Sequence, residues 1–173
     1  MVGSWSGCSY LRIQISEGLN HMSTQLTARR DVGLLIVRLG LGAVMIAHGW
    51  QKYAQNGVDG TRQGFAAMGV PFPELAAPAV TAIELLGGAA IILGLLTPLV
   101  GLGYTGTMIG AAVLVHAPNG FFATGGGFEF VGLLAVLGLG LAVTGAGRYS
   151  LDHLLVGRRR ERGRAERAAA AVS

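Results

Sequence analysis

Arg38, His48, Glu84, His116 and Glu129 are ionisable residues set within long apolar stretches of a 173-residue chain. In hydrocarbon each such group costs several kcal/mol unless it is paired or reaches water, so intramembrane charge marks a functional site or a fixed ion pair. Imidazoles and carboxylates exchange protons, and cationic side chains hold developing negative charge. His48 and Lys52 are spaced i, i+4 and share a helix face. His116 ends one apolar stretch and Glu129 begins the next, which places both at the level of His48 and Lys52. The spacing therefore predicts a proton-handling cluster of His48, Lys52, His116 and Glu129 at the outer mouth of a helix bundle, where a lipid-soluble substrate enters between helices. Trp50, Tyr53 and Phe130 are the candidates to line a ring pocket there, although aromatics at that level also serve as interfacial anchors. Arg38 and Glu84 differ in estimated depth by roughly 7 Å, which predicts an Arg38–Glu84 ion pair across neighbouring helices. The competing reading of the whole set is a polar network that only fixes helix register.

The elements that must position these groups are four apolar stretches, Val32 to Ala54, Leu75 to Leu96, Leu99 to Ala117 and Phe128 to Ala146. Each is close to the roughly 20 residues with which a helix crosses about 30 Å of hydrocarbon. A mean hydropathy of +0.54 and 51% hydrophobic residues exclude an ordinary soluble domain. The expected architecture is all-α, an integral membrane four-helix antiparallel bundle over residues 31–155. It is preceded by an N-terminal arm (1–30) and followed by a basic tail (156–173). Residues 1–21 show no clear period and lack the apolar core of a signal peptide, so the arm reads as disordered or as an extension ahead of a start at Met22. Phe65, Met68 and Val70 give the segment from Gln55 to Glu74 an apolar side, so it is expected to lie on the outer surface or to dip back as a short interfacial helix. Thr97-Pro98 predicts an abrupt reversal that makes the second and third helices antiparallel neighbours. Glycine, 29 of 173 residues, lets helices approach closely in lipid, and Gly106-x-x-x-Gly110 is expected to pack inside the bundle.

Seven of the thirteen basic residues, Arg148 and the arginines at 158, 159, 160, 162, 164 and 167, follow the last apolar stretch. With Arg12, Arg29 and Arg30 ahead of the first, they place both termini in the cytoplasm of a multi-pass cell-membrane protein. The tail suits an anionic leaflet; no aromatic interleaves its arginines, which argues against nucleic acid. Cys8 is the only cysteine, excluding an internal disulfide, a CxxC pair and an iron–sulfur cluster. His48 and His116 do not by themselves specify a haem, and the polar set is too small to indicate a metal site. A small transporter or proton pathway is a further alternative, although it would spread polar residues through the membrane thickness, whereas these gather in the outer half. A scaffold or assembly factor, recruiting partners through its tail and outer loop, stays open.

An arginine in the first stretch, His48-Gly49-x-x-Lys52, Pro71-x-Pro73, Glu84-x-x-Gly87-Gly88, Gly94-Leu95-x-Thr97-Pro98, His116 and Glu129, in that order from about Asp31 to Leu155, together resemble the DoxX family. The resemblance implies a four-helix inner-membrane protein. It links the chain to the small membrane subunits of thiosulfate:quinone oxidoreductase and to oxidative-stress and thiol handling. On that basis the expected function is a subunit or accessory of a quinone-linked redox system, working with membrane lipids and protein partners. Quinone is the candidate ligand, with Arg38, His48, Lys52, Glu84, His116 and Glu129 as the functional or structure-fixing set.

Overall fold

The computed structural model describes the backbone of residues 6–155 and side chains from residue 25 onward; the basic tail at 156–173 and residues 1–5 lie outside the described residues. Every regular element described is helical. Helix α1 (Ser6–Trp50) runs into a π-helical turn at Gln51–Gln55, and the short helix α2 (Gly57–Ala67) follows. Helix α3 (Pro73–Leu93) and helix α4 (Thr97–Ala111) form a tight hairpin; α4 continues into a second π-helical turn at Ala112–His116, and helix α5 (Glu129–Thr144) completes the set. The N-terminal arm is helical from Ser6 onward and continuous with the first apolar stretch.

Three segments, Gln25–Gln55, Pro73–Leu93 and Thr97–Asn119, are long and apolar enough to cross a membrane, and a fourth apolar helix, Glu129–Thr144, has 16 residues. Their outward faces are uncovered hydrocarbon: Leu86, Leu99, Val136 and Val143 are each about two-thirds exposed or more. In water such a surface would drive aggregation, so it belongs against lipid. The chain is a membrane protein whose helices contact lipid directly.

Packing pairs α1 with α3 and α4 with α5. Small residues make both crossings. A Cβ on Gly88 would lie 3.0 Å from the Gly42 carbonyl of α1, and one on Gly101 would lie 2.8 Å from the Gly138 carbonyl of α5. Backbones approach this closely only where side chains are absent. The Gly106–Gly110 repeat, expected to pack inside the bundle, does not: a Cβ at either position meets nothing within 4 Å. Between the pairs lie Leu41, Met45, Ile91, Tyr104 and Leu141, all buried.

Arg38 does not pair with Glu84, and this corrects the expectation from helix depth. Its guanidinium, on a residue 1% exposed, donates Nε to Ile91 O (2.9 Å), Nη2 to Ile92 O (2.6 Å), and Nη1 to both Ala146 O (2.8 Å) and Tyr149 O (2.7 Å). The last carbonyls of a helix have no intrahelical donor, and the helix dipole makes that end negative. One planar fork thus caps the end of α3 and ties it to the chain leaving α5. Glu84 sits about two turns, roughly 12 Å, farther along α3 and is out of reach.

Asp152 completes this lock. Its carboxylate accepts the N–H groups of Leu96 (2.8 Å) and Thr97 (3.0 Å), the uncapped start of α4, while its own N–H donates to Gly94 O (2.9 Å). Buried Asp31 accepts the N–H of Arg148 (3.2 Å). Gly94 sits at φ 68° in the hairpin turn, where a Cβ would lie 2.6 Å from Arg38 Nη2 and 2.5 Å from Ser150 Cβ. Gly94→Ala is therefore expected to cost about 1–2 kcal/mol for the left-handed conformation, with the displaced Arg38 adding to it. Unfolding in mixed micelles of graded SDS content measures the loss.

Candidate functional site

At the opposite end of the helices from the Arg38 lock, a cavity of about 610 Å³ lies between the two helix pairs, with α2 as one wall. That volume is in the range of sites for small organic ligands. Its walls are overwhelmingly apolar. The ionisable groups that reach it are His48, Lys52, Glu84, Tyr104 and His116.

Glu84 is 3% exposed and is held by Lys52, whose Nζ lies 2.9 Å from Oε1 and 2.7 Å from Oε2. The backbone dictates the pairing. α1 touches α3 at Gly49, where a Cβ would lie 3.0 Å from Glu84 Cβ, and Lys52 follows within one turn. A two-point contact to a buried carboxylate is what makes its charge tolerable in a low-dielectric site. Lys52 belongs to the π-helical turn, and its carbonyl accepts the hydroxyl of buried Thr61 on α2 at 2.9 Å. Turns of this kind inside helices recur at functional sites because they re-aim side chains.

His116 ends the second π-helical turn. Its Nδ1 lies 2.7 Å from Gly126 O. A carbonyl only accepts, so Nδ1 is the donor in this contact and Nε2 is the ring nitrogen left to face other groups. His48, exposed on α1, faces Phe130 of α5 with ring centroids 6.4 Å apart, and both line the cavity.

The structure thus brings His48, Lys52, His116 and Phe130 to one cavity, and adds Glu84, which had been assigned to Arg38. Glu129 is not a wall of the cavity. It is exposed, and its Oε2 accepts the N–H of Ala123 at 3.0 Å, folding the loop between α4 and α5 back on itself. Trp50 and Tyr53 also lie outside the cavity walls; they are 55% and 57% exposed and pack on each other at 6.4 Å. The aromatic walls are Phe65, Tyr104 and Phe130.

Tyr104, 1% exposed in the middle of α4, is the residue that reading for charge alone passes over. A phenol within an apolar span is the same kind of signal as a buried carboxylate, because its hydroxyl needs a polar neighbour. The π-helical turns carry no such sequence signal.

Residues 33–117 match the DoxX family model. Over 122 residues the chain is 35% identical to a protein of Bacillus subtilis (strain 168) named "Putative oxidoreductase CatD", covering 70% of this chain and 86% of that protein. Over 128 residues it is 40% identical to "Inner membrane protein YqjF" of Escherichia coli (strain K12), covering 72% and 93% respectively. No solved structure matches the chain significantly.

Proposed function

The chain belongs to the DoxX family, and we propose that its cavity binds a quinone, with the protein acting as a membrane subunit or accessory of a redox system. The observation that carries this reading is the buried Lys52–Glu84 pair in the wall of an otherwise apolar cavity. The oxidoreductase name of the Bacillus subtilis relative supports the redox part.

A quinone supplies two-electron, two-proton chemistry from within the bilayer. The residues of this chain would bind it and manage charge. Lys52, with two of its three N–H donors on Glu84, has the third for a carbonyl oxygen. Nε2 of His116 can take up a proton, and exposed His48 can exchange one with water at the mouth. Tyr104, Phe65 and Phe130 offer faces for a flat ring. As a subunit or accessory, the protein would handle the quinone and its protons while a partner protein of the redox system exchanges the electrons.

In this reading all four apolar helices cross the cell membrane, α5 with its 16 residues included, and the Arg38 lock faces the cytoplasm together with both termini. The distribution of arginines supports that orientation. The cavity then lies in the outer half of the bilayer. Glu129 shapes the loop over this end, and the composition of the arginine-rich tail suits anionic lipid.

Organic extraction of the purified protein, followed by chromatography and an absorption spectrum, tests the ligand class. Quinone in stoichiometric amount is expected. A haem band, or polar lipid alone, would overturn the proposal.

A further inference from the structure

We infer that the cavity opens sideways between α3 and α4, and that this gap takes the apolar chain of an amphiphile whose polar head lies at Lys52 and Glu84. The inference rests on the cavity being a ligand site, as proposed above, and specifies the ligand as a chain-bearing molecule drawn from the bilayer.

The α3–α4 hairpin is closed at its turn. Asp152 holds the start of α4 there, and a Cβ on Gly87 would lie 3.2 Å from Val100 Cγ1. Farther from the turn, the facing residues become cavity walls: Ala76 and Val80 on α3, Thr107 and Gly110 on α4, and Leu114 beyond it. None of these five carries a charge. Leu114 is 45% exposed, and the neighbouring Ile109 and Val113 are 53% and 63% exposed, so this flank of the cavity stands at the level of the hydrocarbon-facing surface. Gly110 leaves the gap open, since a Cβ there would meet nothing within 4 Å.

The Lys52–Glu84 ion pair enters the cavity from the α1–α3 side, and the uncharged gap lies on the α3–α4 side. A molecule with its head at the ion pair and its chain in the gap satisfies both. A cavity of about 610 Å³ encloses a ring-sized head, but a long chain exceeds it and must leave through an apolar opening. Water-soluble ligands gain nothing from such an exit.

Gly110→Leu tests the gap. The added side chain occupies open space, and leucine is the better helix former, so the fold should survive. The probes are a decyl-substituted benzoquinone and the same benzoquinone without its decyl chain, bound to the purified full chain in one detergent. Wild type is expected to bind the decyl compound at least about tenfold more tightly, from burial of the chain. In Gly110→Leu that preference should fall toward unity while affinity for the chainless head changes less than about twofold. A variant that keeps the wild-type preference overturns the gap. If wild type binds neither probe, the ligand site itself is refuted, and the gap with it. Should Gly110→Leu not fold, Thr107→Leu narrows the same opening, because its hydroxyl bonds only to Gly103 O of its own helix.

Discussion

Arg38→Met is expected to destabilise the protein by at least about 4 kcal/mol, the largest single-residue effect in the molecule. The substitution leaves the carbonyls of Ile91 and Ala146 without their donor in a buried site, and those of Ile92 and Tyr149 without it in a part-buried one. A buried carbonyl so abandoned costs about 1–3 kcal/mol, which the Ile91 and Ala146 carbonyls incur in full and the part-buried pair in part. Arg38→Lys should recover only part of the loss. An ammonium offers three donors from a point and cannot span two helix ends as the planar fork does. SDS-induced unfolding of the two variants against wild type gives the order wild type, Lys, Met. Equal stability of all three would show that the carbonyls find other partners.

Lys52→Met is expected to cost about 3 kcal/mol, because it strands the Glu84 carboxylate among apolar walls. Glu84→Gln should cost less. Lys52 lies nearer the cavity mouth and its long stem can carry the ammonium toward water. Replacing both together, Lys52→Met with Glu84→Leu, removes the charges and their desolvation at once, so stability should return to within about 1.5 kcal/mol of wild type. The pattern is a double-mutant cycle with strong positive coupling. Purely additive losses would mean that the pair makes no stabilising contact in the membrane.

The apolar helices were legible because hydrocarbon imposes a length and excludes charge, and each expected stretch overlaps an observed helix. Between the first two apolar helices the structure has a short helix, Gly57–Ala67, in the segment where the apolar side chains of Phe65 and Met68 show in the spacing. What the chain does not display is which turn of one helix meets which turn of the next. The close approach of Gly42 to Gly88 sets the α1–α3 register, and that register hands Glu84 to Lys52 and Arg38 to the end of α3. Among twenty-nine glycines, nothing in the sequence marks those two as the crossing.

Loops hid the rest. Glu129 opens α5, but the chain between α4 and α5 folds back and presents the Ala123 N–H to its carboxylate. Asp31 and Asp152 bind backbone N–H groups far away in sequence, so neither periodicity nor a charged partner announces them. His116 was found for its type and position, yet its tautomer depends on the Gly126 carbonyl, a contact only the folded loop creates.

The most direct test of the ion pair as the polar end of a ligand site is the affinity of Lys52→Met/Glu84→Leu for the decyl-substituted benzoquinone, measured beside wild type under conditions where both are folded. Because stability is restored in that double variant, a fall in affinity of about tenfold or more isolates contact with the ligand from support of the fold. Affinity equal to wild type would leave the pair a structural tie only and contradict its place in binding.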